Sequence, residues 1–124
     1  MSSRKPEQKV NDRLRDFLPA ALPDCQHHRT ELGGTNPGWP DWVIFRPEAR
    51  VVMLECKWLY ATKRPLRDWT PKQQSFARNK TGLGVGYFVL VSNLKEWWLF
   101  DWEGEPLEHH PFLGDWLKKR IAKY

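Results

Sequence analysis

Apolar side chains recur along this chain with two different periods, and the switches between them outline its elements. Behind Pro6, a residue suited to a first helical turn, Val10, Leu14, Phe17, Leu18 and Ala21 follow at helical spacing. They predict an amphipathic helix over residues 6–18, ended by Pro19 and Pro23. Residues 24–40 carry few apolar side chains and include "GGTNPG", which predicts a short strand around residues 27–32 and then an irregular loop. Residues 41–46 and 50–58 are rich in β-branched and aromatic side chains and read as two strands, and "RPEAR" between them has the length of a hairpin loop.

In "TPKQQSFARNKTG", Thr70 suits an N-cap, Pro71 a first helical position and Gly82 a helix end. The uninterrupted apolar run "VGYFVLVSN", residues 85–93, fits a central strand covered on both faces. "EWWLFDW" reads as a further strand, and residues 111–123 as a last helix with Phe112, Trp116, Leu117 and Ile121 on one side. The order is helix, short strand, strand hairpin, helix, strand, strand, helix, an α/β pattern with no internal repeat and no dividing linker. One domain spanning residues 1–124 is expected.

Composition narrows the class. With 40% hydrophobic and 28% charged residues the chain is globular rather than disordered. No apolar run approaches the roughly 20 residues of a membrane-spanning helix, and the polar start "MSSRKPEQKVNDRL" lacks the apolar core of a secretory signal. A cytoplasmic protein without a membrane segment is expected. Cys25 and Cys56 have no C-x-x-C partner, so neither a disulfide framework nor a zinc site is suggested. A net charge of +5 points to an anionic partner, nucleic acid first. The basic stretch "LYATKRPLRDW", residues 59–69, reads as a surface loop, and Lys63, Arg64 and Arg67 together with Lys72 suit phosphate contacts. The pairs His27–His28 and His109–His110 are adjacent, so within a strand each pair splits between two faces and neither makes a metal site. Eight tryptophans suit core packing or a subunit interface, which makes a homodimer plausible.

Three charges interrupt the two best core strands: Asp41 in "GWPDWVIF", and Glu55 and Lys57 in "VVMLECKW". A hairpin centred on Glu48 sets residues whose numbers sum to 96 opposite one another, so Asp41 faces Glu55, with Cβ atoms about 4.5 to 5.5 Å apart. Glu55 and Lys57 share a face and Cys56 points to the other. Two adjacent carboxylates repel unless a cation sits between them, and hard oxygen donors suit Mg²⁺ or Mn²⁺. Lys57 is placed to orient or deprotonate an attacking water, or to neutralise developing charge. A solvent-facing Glu–Lys pair on a strand is the plain alternative.

These motifs resemble the PD-(D/E)XK nuclease signature. With "DWTPKQQSF…GVGYFVLVSN" following, the pattern is similar to that of the virus-type replication-repair branch, VRR-NUC, over about residues 5–93. The resemblance implies a restriction-endonuclease-like α-β-β-β-α-β core, to which residues 94–124 add a C-terminal strand and helix. It implies Asp41 and Glu55 as metal ligands, the Cys56 carbonyl as a backbone ligand, Lys57 as the catalytic lysine, and Gln73 beside the active site. Thr70-x-x-Gln73 is equally a capping box, and Gln74 takes the role if the register is one residue off. The family's first acidic residue maps to Glu7, on the core-facing row of the first helix, or to Glu31. The implied activity is Mg²⁺- or Mn²⁺-dependent hydrolysis of branched DNA, such as four-way (Holliday) junctions, by a symmetric dimer. A non-catalytic nucleic-acid-binding module of the same fold is the alternative.

Overall fold

The computed structural model describes residues 6–30, 39–60 and 69–124. Its elements are α1 (Pro6–Ala21), β1 (Gln26–Arg29), β2 (Trp42–Phe45), β3 (Val52–Trp58), α2 (Pro71–Gly82), β4 (Gly86–Ser92), β5 (Trp97–Asp101), β6 (Pro106–His110) and α3 (Asp115–Ala122). The strands form one sheet in the order β1-β2-β3-β4-β5-β6. Among the described strands only β3 and β4 pair in parallel, because α2 carries the chain back between them; the other neighbours are antiparallel.

Both faces of the sheet are covered, which explains the lack of polar alternation in its central strands. Ile44, Val52, Leu54, Phe88, Leu90, Trp97 and Leu99 meet Val10, Leu14 and Leu18 of α1 and Leu117 and Ile121 of α3. On the other face Val43, Met53, Tyr87, Val89, Val91 and Phe100 meet Ala77 of α2, with Leu59 and Trp69. "WWLF" thus does alternate, but between two apolar layers. Among the described residues no helix is long and apolar enough to cross a membrane.

The expected hairpin register holds: Trp42 pairs with Leu54, Val43 with Met53 and Ile44 with Val52. At its turn Glu48 takes φ 51°, a left-handed conformation that costs a non-glycine residue roughly 1–2 kcal/mol and is held by the strands on either side.

Four expectations change. Helix α1 continues through Pro19 to Ala21; an exposed proline in the last turn forfeits few helical bonds, and the Leu18 carbonyl still accepts from the Leu22 amide at 2.8 Å. The first strand is shorter at its described end, Gln26–Arg29, and residues 31 and 32 lie outside the described residues. A second C-terminal strand, β6, was not foreseen; it opens on a proline and lacks β-branched residues, both tolerated because it is an edge strand. Helix α3 begins only at Asp115, so Phe112 precedes it and is 61% exposed rather than buried.

Candidate active site

The charged cluster sits where β2 and β3 part. Asp41 is the residue before β2, and the pairing Trp42–Leu54 carries it across from Glu55. Period two sends Glu55 and Lys57 to the α2 side with Met53, while Cys56 joins Leu54 in the core against α1. Asp41 and Glu55 are each only 5% exposed and Lys57 8%, so a solvent-facing Glu–Lys pair is excluded.

Each oxygen of Asp41 is held. Oδ2 accepts from the Cys56 amide at 2.7 Å, and Oδ1 accepts from Arg29 Nη1 at 3.1 Å. The same Arg29 nitrogen donates to the carbonyls of Thr30 at 3.1 Å and Asp41 at 3.3 Å, and the guanidinium lies 5.8 Å from the Trp42 ring centroid. Arg29 thereby ties β1 to the carboxylate. Its role had no signal in the sequence beyond a basic residue in a weak strand.

Glu55 Oε2 lies 3.7 Å from Lys57 Nζ and accepts from Gln73 Nε2 at 2.8 Å. Burial pushes its carboxyl well above the usual range; the charge and hydrogen bond of Asp41 push it further, Lys57 opposes this, and Glu7 adds to it. Burial and the same carboxylates also raise the Cys56 thiol, which leaves its side chain a neutral core residue.

Gln73 closes the expected capping box and at the same time reaches Glu55. Its Oε1 accepts from the Thr70 amide at 3.1 Å while Thr70 Oγ1 accepts from the Gln73 amide at 3.2 Å, closing a capping box, and its Nε2 is left for Glu55. The register is not one residue off: Gln74 Nε2 instead donates to the Trp69 carbonyl at 3.2 Å.

Glu7 lies in the first turn of α1, half-buried, with its charge felt at both Glu55 and Cys56. One turn on, Asn11 donates to the Glu7 carbonyl at 3.2 Å and accepts from Trp42 Nε1 at 2.8 Å, pinning the start of α1 beside Asp41. Asn11 was not foreseen, although its place one helical turn after Glu7 on a core-facing row was a usable signal. Lys72 is exposed in the first turn of α2. Glu31, Lys63, Arg64 and Arg67 lie outside the described residues.

No three His, Cys, Asp or Glu side chains converge as a metal cluster among the described residues. The oxygen donors that the motifs imply are two carboxylates, Asp41 and Glu55, with the Cys56 carbonyl. In a strand the N–H and C=O of one residue project to the same side, so this carbonyl faces the side on which the Cys56 amide meets Asp41. Hard oxygen donors and a carboxylate pair held together against its own repulsion fit Mg²⁺ or Mn²⁺.

No family model matches the chain, and no curated protein matches it. Among solved structures it is similar to Hjc of Archaeoglobus fulgidus, a Holliday junction resolvase from an archaeal hyperthermophile. The likeness spans 77% of this chain and 76% of that one, with a TM-score of 0.55 and 18% identity. At that identity the likeness is one of fold. The architecture is the mixed α/β, restriction-endonuclease-like one, and the resemblance to the VRR-NUC branch rests on the motifs alone.

Proposed function

We propose that this chain is a divalent-metal-dependent DNA endonuclease of the PD-(D/E)XK type, in the VRR-NUC branch by its motif pattern, acting inside the cell on branched DNA such as four-way junctions. The observation that carries the reading is the burial of Asp41, Glu55 and Lys57 together at the end of one hairpin. Burying like charges side by side costs several kcal/mol in a protein that has no use for them. The fold shared with a protein described as a Holliday junction resolvase supports the branched substrate, and two-fold symmetry of a homodimer would present two sites to two strands.

In the reaction a water gives up a proton to solvent as its oxygen bonds to phosphorus, the bridging P–O bond breaks, and the leaving alkoxide takes up a proton from solvent. Asp41, Glu55 and the Cys56 carbonyl would hold a divalent cation, which when bound would lower the pKa of a water and offset charge on the phosphate. Lys57 approaches from the Glu55 side, where its Nζ orients the water or offsets charge on the phosphate oxygens. Gln73 fixes the Glu55 carboxylate, Arg29 fixes that of Asp41, and Glu7 adds negative charge on the α1 side. Lys63, Arg64, Arg67 and Lys72 serve as phosphate contacts along the loop and the start of α2.

Labelled linear duplex, single-stranded and four-way-junction DNA, incubated with Mg²⁺, with Mn²⁺ and with chelator, tests the reading. Metal-dependent cutting of the junction is expected, abolished by Asp41→Ala and by Lys57→Ala while binding survives. Binding of all three DNAs by wild type with cutting of none would replace the enzyme with a non-catalytic binding module.

Gln73 offers a finer test, because its two ends do different things. Gln73→Ala should lower cleavage about 10- to 100-fold, the usual effect of losing a residue that orients a ligand. Thr70→Ala should cost about 1 kcal/mol of stability through the lost cap and leave cleavage by the folded protein within a fewfold of wild type. Equal losses of activity in the two variants would reduce Gln73 to a helix cap.

A further inference from the structure

One row of side chains links the site to the far edge of the sheet. Lys57 of β3 aligns with Val91 of β4, Val91 with Trp98 of β5, and Trp98 with His109 of β6. Val91 and Trp98 belong to the apolar layer on the α2 side, so the whole row lies on the face that carries Glu55 and Lys57. Three inter-strand steps of about 4.8 Å set His109 about 14 Å from Lys57.

The last two members form a stack. The His109 and Trp98 ring centroids are 3.8 Å apart with planes 13° from parallel, and Phe100 lies parallel to Trp98 at 5.8 Å, also at 13°. Because His109 and Trp98 stand on neighbouring strands, the stacking axis runs across the sheet. β6 is the edge strand, so among the described residues no further strand follows His109. His109 is oriented by a 2.8 Å hydrogen bond between its Nε2 and Glu96, yet its side chain remains 47% exposed. Core packing accounts for Trp98 and Phe100. It does not account for a half-exposed imidazole fixed parallel to them on the row of Lys57.

We infer that His109, backed by Trp98, is a stacking platform for an unpaired nucleobase of the DNA whose phosphodiester lies at Asp41 and Glu55. The inference rests on the nuclease reading above and adds to its branched substrates a preference for those with unpaired nucleotides close to the cut. The Glu96 carboxylate beside the imidazole repels a phosphate, so the base and not the backbone occupies the platform. A base within a duplex has both faces covered by its neighbours; an unpaired one offers a free face to an aromatic ring, including histidine. The separation of about 14 Å corresponds to about four steps of B-DNA at 3.4 Å per step, and to fewer nucleotides of an extended strand.

The test uses the full chain in chelator, so that binding is read without cleavage. Two DNAs of identical duplex sequence are compared, one blunt and one with a short single-stranded tail carrying 2-aminopurine, by anisotropy and by quenching of the 2-aminopurine. His109→Ala is expected to weaken binding of the tailed DNA about tenfold, within the range for loss of one base stack, to abolish the quenching, and to leave the blunt duplex unaffected. His109→Phe keeps the ring without the Glu96 hydrogen bond and should restore both readouts. Wild-type behaviour of His109→Ala on the tailed DNA would overturn the inference. Equal losses on both DNAs together with a change in oligomeric state would also overturn it, by making this face a contact between copies of the chain. The nuclease reading is judged separately by adding Mg²⁺ or Mn²⁺ to wild type: cutting without any dependence of tail binding on His109 removes the platform alone, whereas ring-dependent tail binding without cutting removes the hydrolytic reading alone.

Discussion

Glu55→Gln is expected to lower metal-dependent DNA cleavage by about 10²- to 10³-fold while making the metal-free protein more stable at neutral and alkaline pH. The substitution keeps shape and volume but removes a negative charge that Asp41 and burial both disfavour. A carboxyl whose folded pKa lies above its unfolded one contributes stability that is fully present below the ordinary carboxylate range and is lost as pH rises through the raised value. Wild type in chelator should therefore become easier to unfold with urea as pH is raised across that window, and Glu55→Gln should flatten the dependence. Added Mg²⁺ or Mn²⁺ should restore wild-type stability, by about 2.7 kcal/mol when the ion is at 100 times its Kd, and should restore far less in the variant. A variant that unfolds like wild type at every pH, with and without metal, would show that Glu55 neither carries the buried charge nor binds the ion.

Leu54→Ala, one residue away, should do the reverse. Leu54 is fully buried on the opposite face of β3, within the layer that includes Val10, Leu14 and Leu90. Truncating it leaves a cavity beneath α1 and is expected to cost about 2–5 kcal/mol, read as a lower urea midpoint. Cleavage by the fraction that remains folded should stay within severalfold of wild type, since Leu54 faces the core layer opposite the one that carries Glu55 and Lys57. The two variants together test the alternation of β3: neighbouring residues, one supporting the fold and the other the chemistry. Loss of cleavage beyond the loss of folded protein in Leu54→Ala would mean that α1, with Glu7 and Asn11, shifts when its packing is weakened.

The elements legible in the sequence are those in which local chemistry and burial agree. Thr70, Pro71, Gln73 and Gly82 bound α2 by capping and turn preferences that act within a few residues. The continuous apolar run of β4 announced a strand covered on both faces. The hairpin register followed from the length of the 46–50 loop, and with it the meeting of Asp41 and Glu55. Strand β6 was hidden because an edge strand needs neither an apolar run nor a proline-free start. Helix α1 outran Pro19 because packing of Leu18 outweighs one missing amide near a helix end.

By itself, then, the sequence determined the nearest-neighbour facts: which segments other than β6 are helical or extended, that Glu55 and Lys57 share one side of β3, and that Asp41 lies across the hairpin from Glu55. Those depend on period, capping and loop length, all of which are written within a few residues. Only the tertiary structure decided that Arg29 takes one oxygen of Asp41, that Gln73 turns its nitrogen to Glu55 while its oxygen caps the helix, and that His109 lies on the row of Lys57. Those depend on which strands become neighbours in the sheet and where α1 and α2 dock on it. Long-range packing sets both, and no local pattern of residues encodes it.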